Sequence, residues 1–329
     1  MIPKVSILVP IFNVSLFIER CAISLFEQTF SNIEYVFVND ATEDDSLEKL
    51  LKIIEKYPLR KKQVKIINHT FNKGPAVARN TAIDNSIGEF ISIVDSDDYI
   101  DLDMIEILVK TIIEYNADMV ISDLMIEYSN HKTLFYNNLA TNKIENIKNL
   151  ILQEHLTTSL CGKLFSRNLI TNVECRVPEY LYYMEDGCYL IRMFYFANNI
   201  VKSDNAFYHY VQYNSFSITK SKVKMHFENV IEFCRLQDVF FIKHNVYEEY
   251  KTTIELSKVK KKINLMIGTN SFELRKKFGN MFYEIEMQYI SYFRIGEKIM
   301  LLLIHYKLYL IAHIFHNILV FKNRKHIQR

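Results

Sequence analysis

The tetrad Asp95-Ser96-Asp97-Asp98 follows directly on the apolar run FISIV, so its carboxylates should emerge at the end of a buried strand, where charge needs a cation or donors. Hard oxygen ligands one residue apart suit Mg2+ or Mn2+ that also holds phosphate oxygens, because Mg2+ takes only one or two protein carboxylates. The same residues would equally serve as the first turn of a helix, with Asp97 or Asp98 as its cap. A second acidic turn, Asn39-Asp40-Ala41-Thr42-Glu43-Asp44, closes the strand-like run 35–38 and precedes a helical pattern. Two strand ends thereby present carboxylates to one crevice. Glu185-Asp186 stand before LIRMFYF, a helical pattern, and either complement its N-terminal dipole or supply a base. His209 between Tyr208 and Tyr210 is either packed among the rings or a ligand to metal or phosphate. Lys163 in CGKLFSR meets phosphate or acceptor charge, or stands exposed without a task.

These residues need elements to hold them. Apolar runs at 5–9, 35–38, 64–67, 90–94 and 119–121 alternate with helix-period segments, which is the mark of strands joined by covering helices. Leu47, Leu50, Leu51 and Ile54 recur at i, i+3, i+4 and i+7, and Ile105, Leu108, Val109 and Ile112 repeat that spacing. Asn72-Lys73-Gly74-Pro75 opens another helix, with Pro75 in its first turn and Gly74 where the backbone turns sharply or approaches a ligand. The class is α/β with an open sheet. Stretches 128–132 and 137–143 read as loops or short strands around helices. Beyond about Lys220 the pattern is almost continuously helical, with no proline in the final 109 residues.

Forty basic against thirty-eight acidic side chains give +2, too near neutral for a surface built to hold nucleic acid. The balance is uneven. Residues 251–329 carry fifteen Lys or Arg and five Asp or Glu, a balance of +10 that leaves −8 for the first 250. A basic, aromatic-rich end suits an anionic surface such as a membrane. Within it the 23 residues between Lys298 and Lys322 are long enough for a bilayer, but Lys307, His305, His313, His316 and Asn317 interrupt them. Leu301, Ile304, Leu308, Ile311, Phe315 and Ile318 form one apolar stripe, the pattern of a helix lying in an interface rather than spanning it. Five cysteines, Cys21, Cys161, Cys175, Cys188 and Cys234, show neither metal-ligand spacing nor an even count for bridging, which suits a reducing compartment. The apolar run at the start ends at Asn13 without a small-residue cleavage site, so it reads as a first strand and the expected location is the cytoplasm.

Four blocks in order carry a family resemblance: VSILVPIFN at Val5 to Asn13, VNDATEDDS at Val38 to Ser46, NKGPAVARN at Asn72 to Asn80, and DSDD. With CGKLFSR, the MED of Met184 to Asp186, and YHY, the match reaches about Thr219. On these residues the chain resembles the inverting family 2 glycosyltransferases of GT-A fold, bacterial enzymes that use nucleotide sugars. The resemblance implies a Rossmann-like open mixed sheet flanked by helices as catalytic domain over 1–219, with a helical C-terminal extension over 220–329. It implies that Pro10, Phe12 and Asn13 border the nucleotide, with Phe12 stacked on the base and Asp40 meeting the imino N–H of uracil. It further implies that Arg79 contacts the nucleotide, Asp95 the ribose, and Asp97 the metal. Asp186 is the preferred base and Glu185 the alternate. Asn39, Ala41 and Thr42 depart from the usual Asp, Gly and Ser, and Gln212 stands where relatives often have Arg. The missing glycine at 41 leads us to expect a turn free of positive φ.

The function so implied is transfer of a sugar from a UDP-sugar, with Mn2+ or Mg2+, to a hydroxyl of a cell-surface glycan or lipid-linked saccharide. The enzyme would work on the cytoplasmic face of the membrane, touching it through the C-terminal region, alone or as a homodimer. Two alternatives stand beside it: a sugar nucleotidyltransferase, and a catalytically silent membrane-associated assembly partner. The first should show a glycine-rich, arginine-bearing loop after the first strand, where this chain has Pro10-Ile11-Phe12-Asn13.

Overall fold

A computed structural model describes residues 4–203, 205, 207–214 and 223–317, the side chains of 223–226 apart. The chain divides into two compact units, Met1–Lys220 and Ser221–Arg329. The boundary expected after residue 219 lies outside the described residues.

In the first unit the strands are β1 (Val5–Ile11), β2 (Ile33–Asn39), β3 (Val64–Asn68), β4 (Phe90–Ile93), β5 (Tyr99–Ile100), β6 (Met119–Ile121), β7 (Leu124–Glu127), β8 (Lys132–Phe135), β9 (Lys163–Ser166), β10 (Ile200–Lys202) and β11 (Tyr208–Val211). Seven form one sheet in the order β10-β6-β9-β4-β1-β2-β3, and β5-β11-β7-β8 form a second. The block β4-β1-β2-β3 is parallel, and so is β6-β10, while β9 runs antiparallel between β4 and β6. This is the mixed α/β sheet expected. Val5, Ile7, Leu8, Val9 and Ile11 are all buried, which is why β1 reads as a nearly unbroken apolar run and not as an alternating one.

Helices Ile18–Phe26, Ser46–Lys56, Pro75–Asp84 and Met104–Glu114 link the successive strands. Ile105, Leu108, Val109 and Ile112 are buried as their spacing predicts, but Leu51 is half exposed and Ile53 takes its place beside Leu50 and Ile54. Pro75 opens its helix, and Gly74 before it sits at φ 89°. Strands β9, β10 and β11 lie in sequence too short and mixed for periodicity to find. All five cysteines are buried and none forms a disulfide.

The second unit contains helices Val223–Lys243, Tyr247–Gly268, Phe272–Gly279 and Ile295–His305, with a 3-10 segment Glu286–Tyr292. Its interior includes a charged group: fully buried Lys262 pairs with fully buried Glu286 and donates to Gly279 O at 2.6 Å, while His305 Nδ1 lies 2.8 Å from Glu286 Oε1. The single stripe expected from Lys298 to Lys322 is not continuous. The helix ends at His305, Lys307 adopts φ 59°, and helical structure resumes at 309–317. That break separates Leu301 and Ile304, which are buried, from Leu308 and Ile311, which are exposed. Ile318 and Lys322 lie outside the described residues.

One expectation about the β2 turn is overturned. Ala41 adopts φ 56°, the left-handed region that its missing glycine was expected to avoid. Hydrogen bonds over-determine the conformation: Asn39 Oδ1 accepts from Thr42 N–H at 3.0 Å, and Asn13 Oδ1 accepts from Glu43 N–H at 3.1 Å. Asp44 adds to them, with Oδ1 accepting from Ser46 N–H at 3.0 Å and Oδ2 from Ser15 N–H at 2.9 Å. An alanine there costs about 1–2 kcal/mol in backbone strain. Ala41→Gly should therefore raise the melting temperature of the first unit by about 2–4 °C, the shift for a net gain of about 1 kcal/mol in a domain of this size. Differential scanning calorimetry reads it directly; a lower melting temperature would show that the turn gains nothing from relief of φ.

Candidate active site

The crevice forms where β1, β2 and β4 end together. Asp40 follows β2, and its carboxylate is buried and already shared: Oδ1 accepts from Lys73 N–H at 2.9 Å and lies 2.6 Å from His69 Nδ1, and Oδ2 accepts from Gly74 N–H at 2.8 Å. Asp40 thus fixes the loop that launches helix Pro75–Asp84, so it acts on the crevice first as a structural anchor. Gly74 admits no side chain, because a Cβ would lie 2.3 Å from Tyr182 Cε1. Asn13, at φ 52°, uses its side-chain oxygen on the 42–43 backbone and hydroxyl, and its own N–H donates to Thr42 Oγ1 at 2.8 Å. Of the three residues at the end of β1, Phe12 is the exposed one, and Pro10 is an inner strand position paired with Val38.

Helix Pro75–Asp84 points Arg79 at three carboxylates. Its Nη2 donates to Asp95 Oδ1 at 3.1 Å, its Nη1 donates to Glu185 Oε1, and Asp186 Oδ1 lies 3.0 Å from the same Nη1. Burial alone would depress the guanidinium, but Asp186, Asp95 and Glu185 outweigh it and hold the charge firmly. Both terminal nitrogens meet carboxylates, so Arg79 is the keystone of the site. Burial pushes the Glu185 and Asp186 carboxyls up, against the pull of Arg79. Asp186 Oδ2 accepts from Leu160 N–H at 3.3 Å, whereas Oδ1 makes no hydrogen bond. Glu185 has a side chain 11% exposed against 21% for Asp186, which makes Asp186 the more approachable of the pair.

The tetrad divides by role. Asp98 is fully buried and accepts from Tyr208 Oη–H at 2.6 Å and from Val211 N–H at 2.7 Å, binding β11 to the crevice floor. Asp97 accepts from Asn214 Nδ2 at 2.8 Å, and burial followed by the Asp95 charge pushes its carboxyl up. Among the described residues no three His, Cys, Asp or Glu side chains converge as metal ligands. A crowded carboxylate with a single side-chain donor still fits a divalent cation of the kind that takes one or two protein carboxylates and fills its shell with substrate phosphate.

Two further sequence candidates, His209 and Lys163, have partners within the fold. His209 alternates out of β11: Nδ1 lies 3.0 Å from Glu127 Oε1, Nε2 2.9 Å from Asp101 Oδ1, and the ring stacks on Tyr99 at 4.2 Å. Its neighbour Tyr208 faces the site instead, because successive strand residues point to opposite sides. Lys163 is buried, not exposed, and its Nζ donates to Ser159 O at 2.6 Å and Cys161 O at 3.3 Å. Residues missed by the sequence reading are Tyr208, Asp98 in its anchoring role, His69, Asp44 and Asn214. Only Asp44 and Asp98 lie within an acidic motif that could have drawn attention.

Comparison with known proteins matches residues 6–173 to the family model Glycosyl transferase family 2. The putative glycosyltransferase EpsH of Bacillus subtilis is 29% identical over 259 residues, 77% of this chain and 73% of that protein. The poly(ribitol-phosphate) β-N-acetylglucosaminyltransferase TarS of Staphylococcus aureus is 26% identical over 276 residues, 83% of this chain but 46% of TarS. A TarS fragment in complex with UDP superimposes with a TM-score of 0.67 at 22% identity, covering 95% of this chain and 90% of that one, and the same fragment is also solved with UDP-GlcNAc. A mannosyltransferase from Pyrobaculum calidifontis, in complex with GDP-Man and Mn2+, gives a TM-score of 0.52 at 16% identity over 97% of this chain and 86% of that one. The parallel strands ending in Asp40 and Asp95, the Arg79 keystone and the family match over half the chain make it a member of the family 2 glycosyltransferases, with a GT-A fold.

Proposed function

We propose that the chain is an inverting, metal-dependent enzyme that moves a hexose-type sugar from UDP to a hydroxyl of a glycan or lipid-linked saccharide. The observation that carries this is the buried pair Glu185 and Asp186 held by Arg79 against Asp95. The donor nucleotide would lie across the ends of β1 and β2, where Phe12 is exposed for stacking and Asp40 lies at the floor. TarS, whose complexes contain UDP and UDP-GlcNAc, supports uridine and places UDP-GlcNAc first among donors to try.

The acceptor hydroxyl gives its proton to Asp186 as its oxygen attacks the anomeric carbon from the face opposite the diphosphate, and the bond from that carbon to the diphosphate oxygen breaks. Arg79 and the Leu160 N–H fix the carboxylate for that proton transfer. Glu185, nearer full burial, serves to balance Arg79. Asp97, with Asn214 behind it, is the residue to hold a divalent cation, which when bound neutralises charge on the departing diphosphate. Manganese in the complex of the mannosyltransferase supports a metal of this kind.

We further propose that the enzyme works at the cytoplasmic membrane face. Among the described residues no helix is long and apolar enough to cross a membrane. Leu308, Leu310, Ile311 and Ile314 are exposed, and the surrounding region is strongly basic, the pairing expected for contact with acidic lipid.

Three outcomes test this reading. Asp97→Ala should abolish Mn2+-dependent binding of UDP-sugar in calorimetry; unchanged affinity and unchanged metal dependence would return the tetrad to a purely structural role. Asp186→Asn should fold and bind donor normally yet turn over about 10²-fold more slowly. Because burial raises the Asp186 carboxyl and the base works deprotonated, the wild-type rate should fall as pH drops through a limb above the ordinary carboxylate range. Full turnover in Asp186→Asn would move the base to Glu185. For the membrane, deleting the end from Ile295 would also remove buried Met300, Leu301 and Ile304, so substitution is the cleaner probe. Leu310→Glu with Ile314→Glu should leave melting unchanged and reduce flotation with anionic liposomes; equal flotation of both proteins excludes this face.

A further inference from the structure

Lys163 is a buried cation with no counter-ion in direct contact. A lysine almost never lies fully buried unless paired, and the cost of doing so calls for a function. Its Nζ reaches back along its own chain to two carbonyls, Ser159 O at 2.6 Å and Cys161 O at 3.3 Å. The first of these belongs to the peptide unit that joins Ser159 to Leu160. That unit is planar and trans, so its carbonyl and its N–H point in opposite directions. The N–H on the far side is the Leu160 donor to Asp186 Oδ2 at 3.3 Å.

We propose that Lys163 is a positioning residue for the catalytic carboxylate: its ammonium clamps one end of the Ser159–Leu160 peptide, and the other end of the same rigid unit holds Asp186 Oδ2. This deepens the reading of Asp186 as base and rests on it. An ammonium on the carbonyl also polarises the peptide, which strengthens the N–H as a donor, as linked hydrogen bonds do in a low-dielectric interior. The arrangement has supports on both sides. Cys161 N–H donates to Ser159 Oγ at 3.1 Å, and Ser122 N–H donates to Gly162 O at 3.0 Å, anchoring the segment to the end of β6. Gly162, at φ 68°, turns the chain into β9, and a Cβ there would meet Leu124 Cδ2 at 2.6 Å. With the segment so confined, one orientation of the 159–160 peptide is available to Asp186.

The charged and titratable groups that face Asp186 include Arg79 from its helix, Asp95 beyond β4, Glu185 and Tyr189 on its own helix, and Lys163 with Cys161 from the β9 side. Arg79 and Lys163 favour the carboxylate and Asp95 opposes it. Burial brings the Lys163 ammonium down to about 8, so at neutral pH it remains mostly charged. Removing it takes away one favourable charge and loosens one donor. Both effects raise the Asp186 carboxyl further, so the acidic limb of the rate profile must move to higher pH.

The test uses the full chain with UDP-sugar and Mn2+, reading UDP release with water or a saccharide as acceptor. Lys163→Met keeps the length of the side chain and removes charge and donors. It should bind donor within about threefold of wild type, since it touches no donor contact, but lose about tenfold or more in kcat, the scale of a misplaced catalytic group. Its acidic limb should lie at higher pH. Lys163→Gln keeps a donor for Ser159 O without charge and should regain part of kcat while the limb stays high. Wild-type kcat with a wild-type limb in folded Lys163→Met overturns the proposal, and so does a wild-type limb in Lys163→Gln if the methionine variant does not fold. A second measurement needs no turnover. In a double-mutant cycle on unfolding, Lys163→Met and Asp186→Asn should be non-additive, and strict additivity overturns the coupling. Asp186→Asn run beside them separates the failures: if it turns over normally, the base assignment falls, while the cycle still reports whether Lys163 acts on that carboxylate.

Discussion

The first unit depends on one buried guanidinium. Arg79 gathers Asp95 from the end of β4 and Glu185 and Asp186 from a helix more than a hundred residues later, so three elements are tied by one side chain. Three carboxylates would repel one another in a confined site. A guanidinium among them makes the cluster tolerable, and its planar fork gives each a defined direction. Removing one partner from such an arrangement generally costs about 3–5 kcal/mol, because it leaves uncompensated charge where water cannot reach. Asp186 shares Nη1 with Glu185, while Asp95 takes Nη2.

Around this centre, identical side chains take different roles from their surroundings. Asp40 and Asp98 are nearly or wholly buried and engaged by donors on both oxygens, so they organise loops. Asp95 is a partner for Arg79, and Asp97 has only Asn214. Donors decide the division. A carboxylate that has two or three is structural, and one that has a single side-chain donor beside a like charge is the place where a cation is favourable. The turn after β2 shows the complementary case, where Asn39, Asn13, Thr42 and Asp44 impose a left-handed alanine that local preference alone would reject.

Much of this was legible in the sequence where local pattern and tertiary outcome coincide. The runs that became β1, β2 and β4 are apolar because both faces are covered, and Pro75 after Gly74 marks a helix start by stereochemistry alone. Asp95, Glu185 and Asp186 were legible as carboxylates at element ends, whereas the arginine that joins them was seen as a motif residue without its partners. What stayed hidden needs distant pairing. Strand β9 exists because β4 and β6 leave a gap that an antiparallel neighbour fills, and nothing in KLFS announces it. Choosing Tyr208 over His209 required the facing of a strand that periodicity had not identified. Lys163 reads as a surface lysine in any local window, and only the pairing Ile121 to Lys163 reveals it as interior.

The C-terminal unit shows how far a hydrophobic stripe can mislead. Leu301, Ile304, Leu308 and Ile311 keep helical spacing only if the helix continues, and Lys307 at φ 59° ends that continuity. Each side of the break then meets a different environment. Leu301 and Ile304 join a core whose centre is the Lys262–Glu286 pair, so they stabilise the unit by burial and by keeping water from those charges. Leu310 and Ile314, one turn apart beyond the break, remain exposed. An apolar periodicity therefore establishes that a face exists, while the residue that interrupts the backbone determines which part of that face remains available to anything outside the fold.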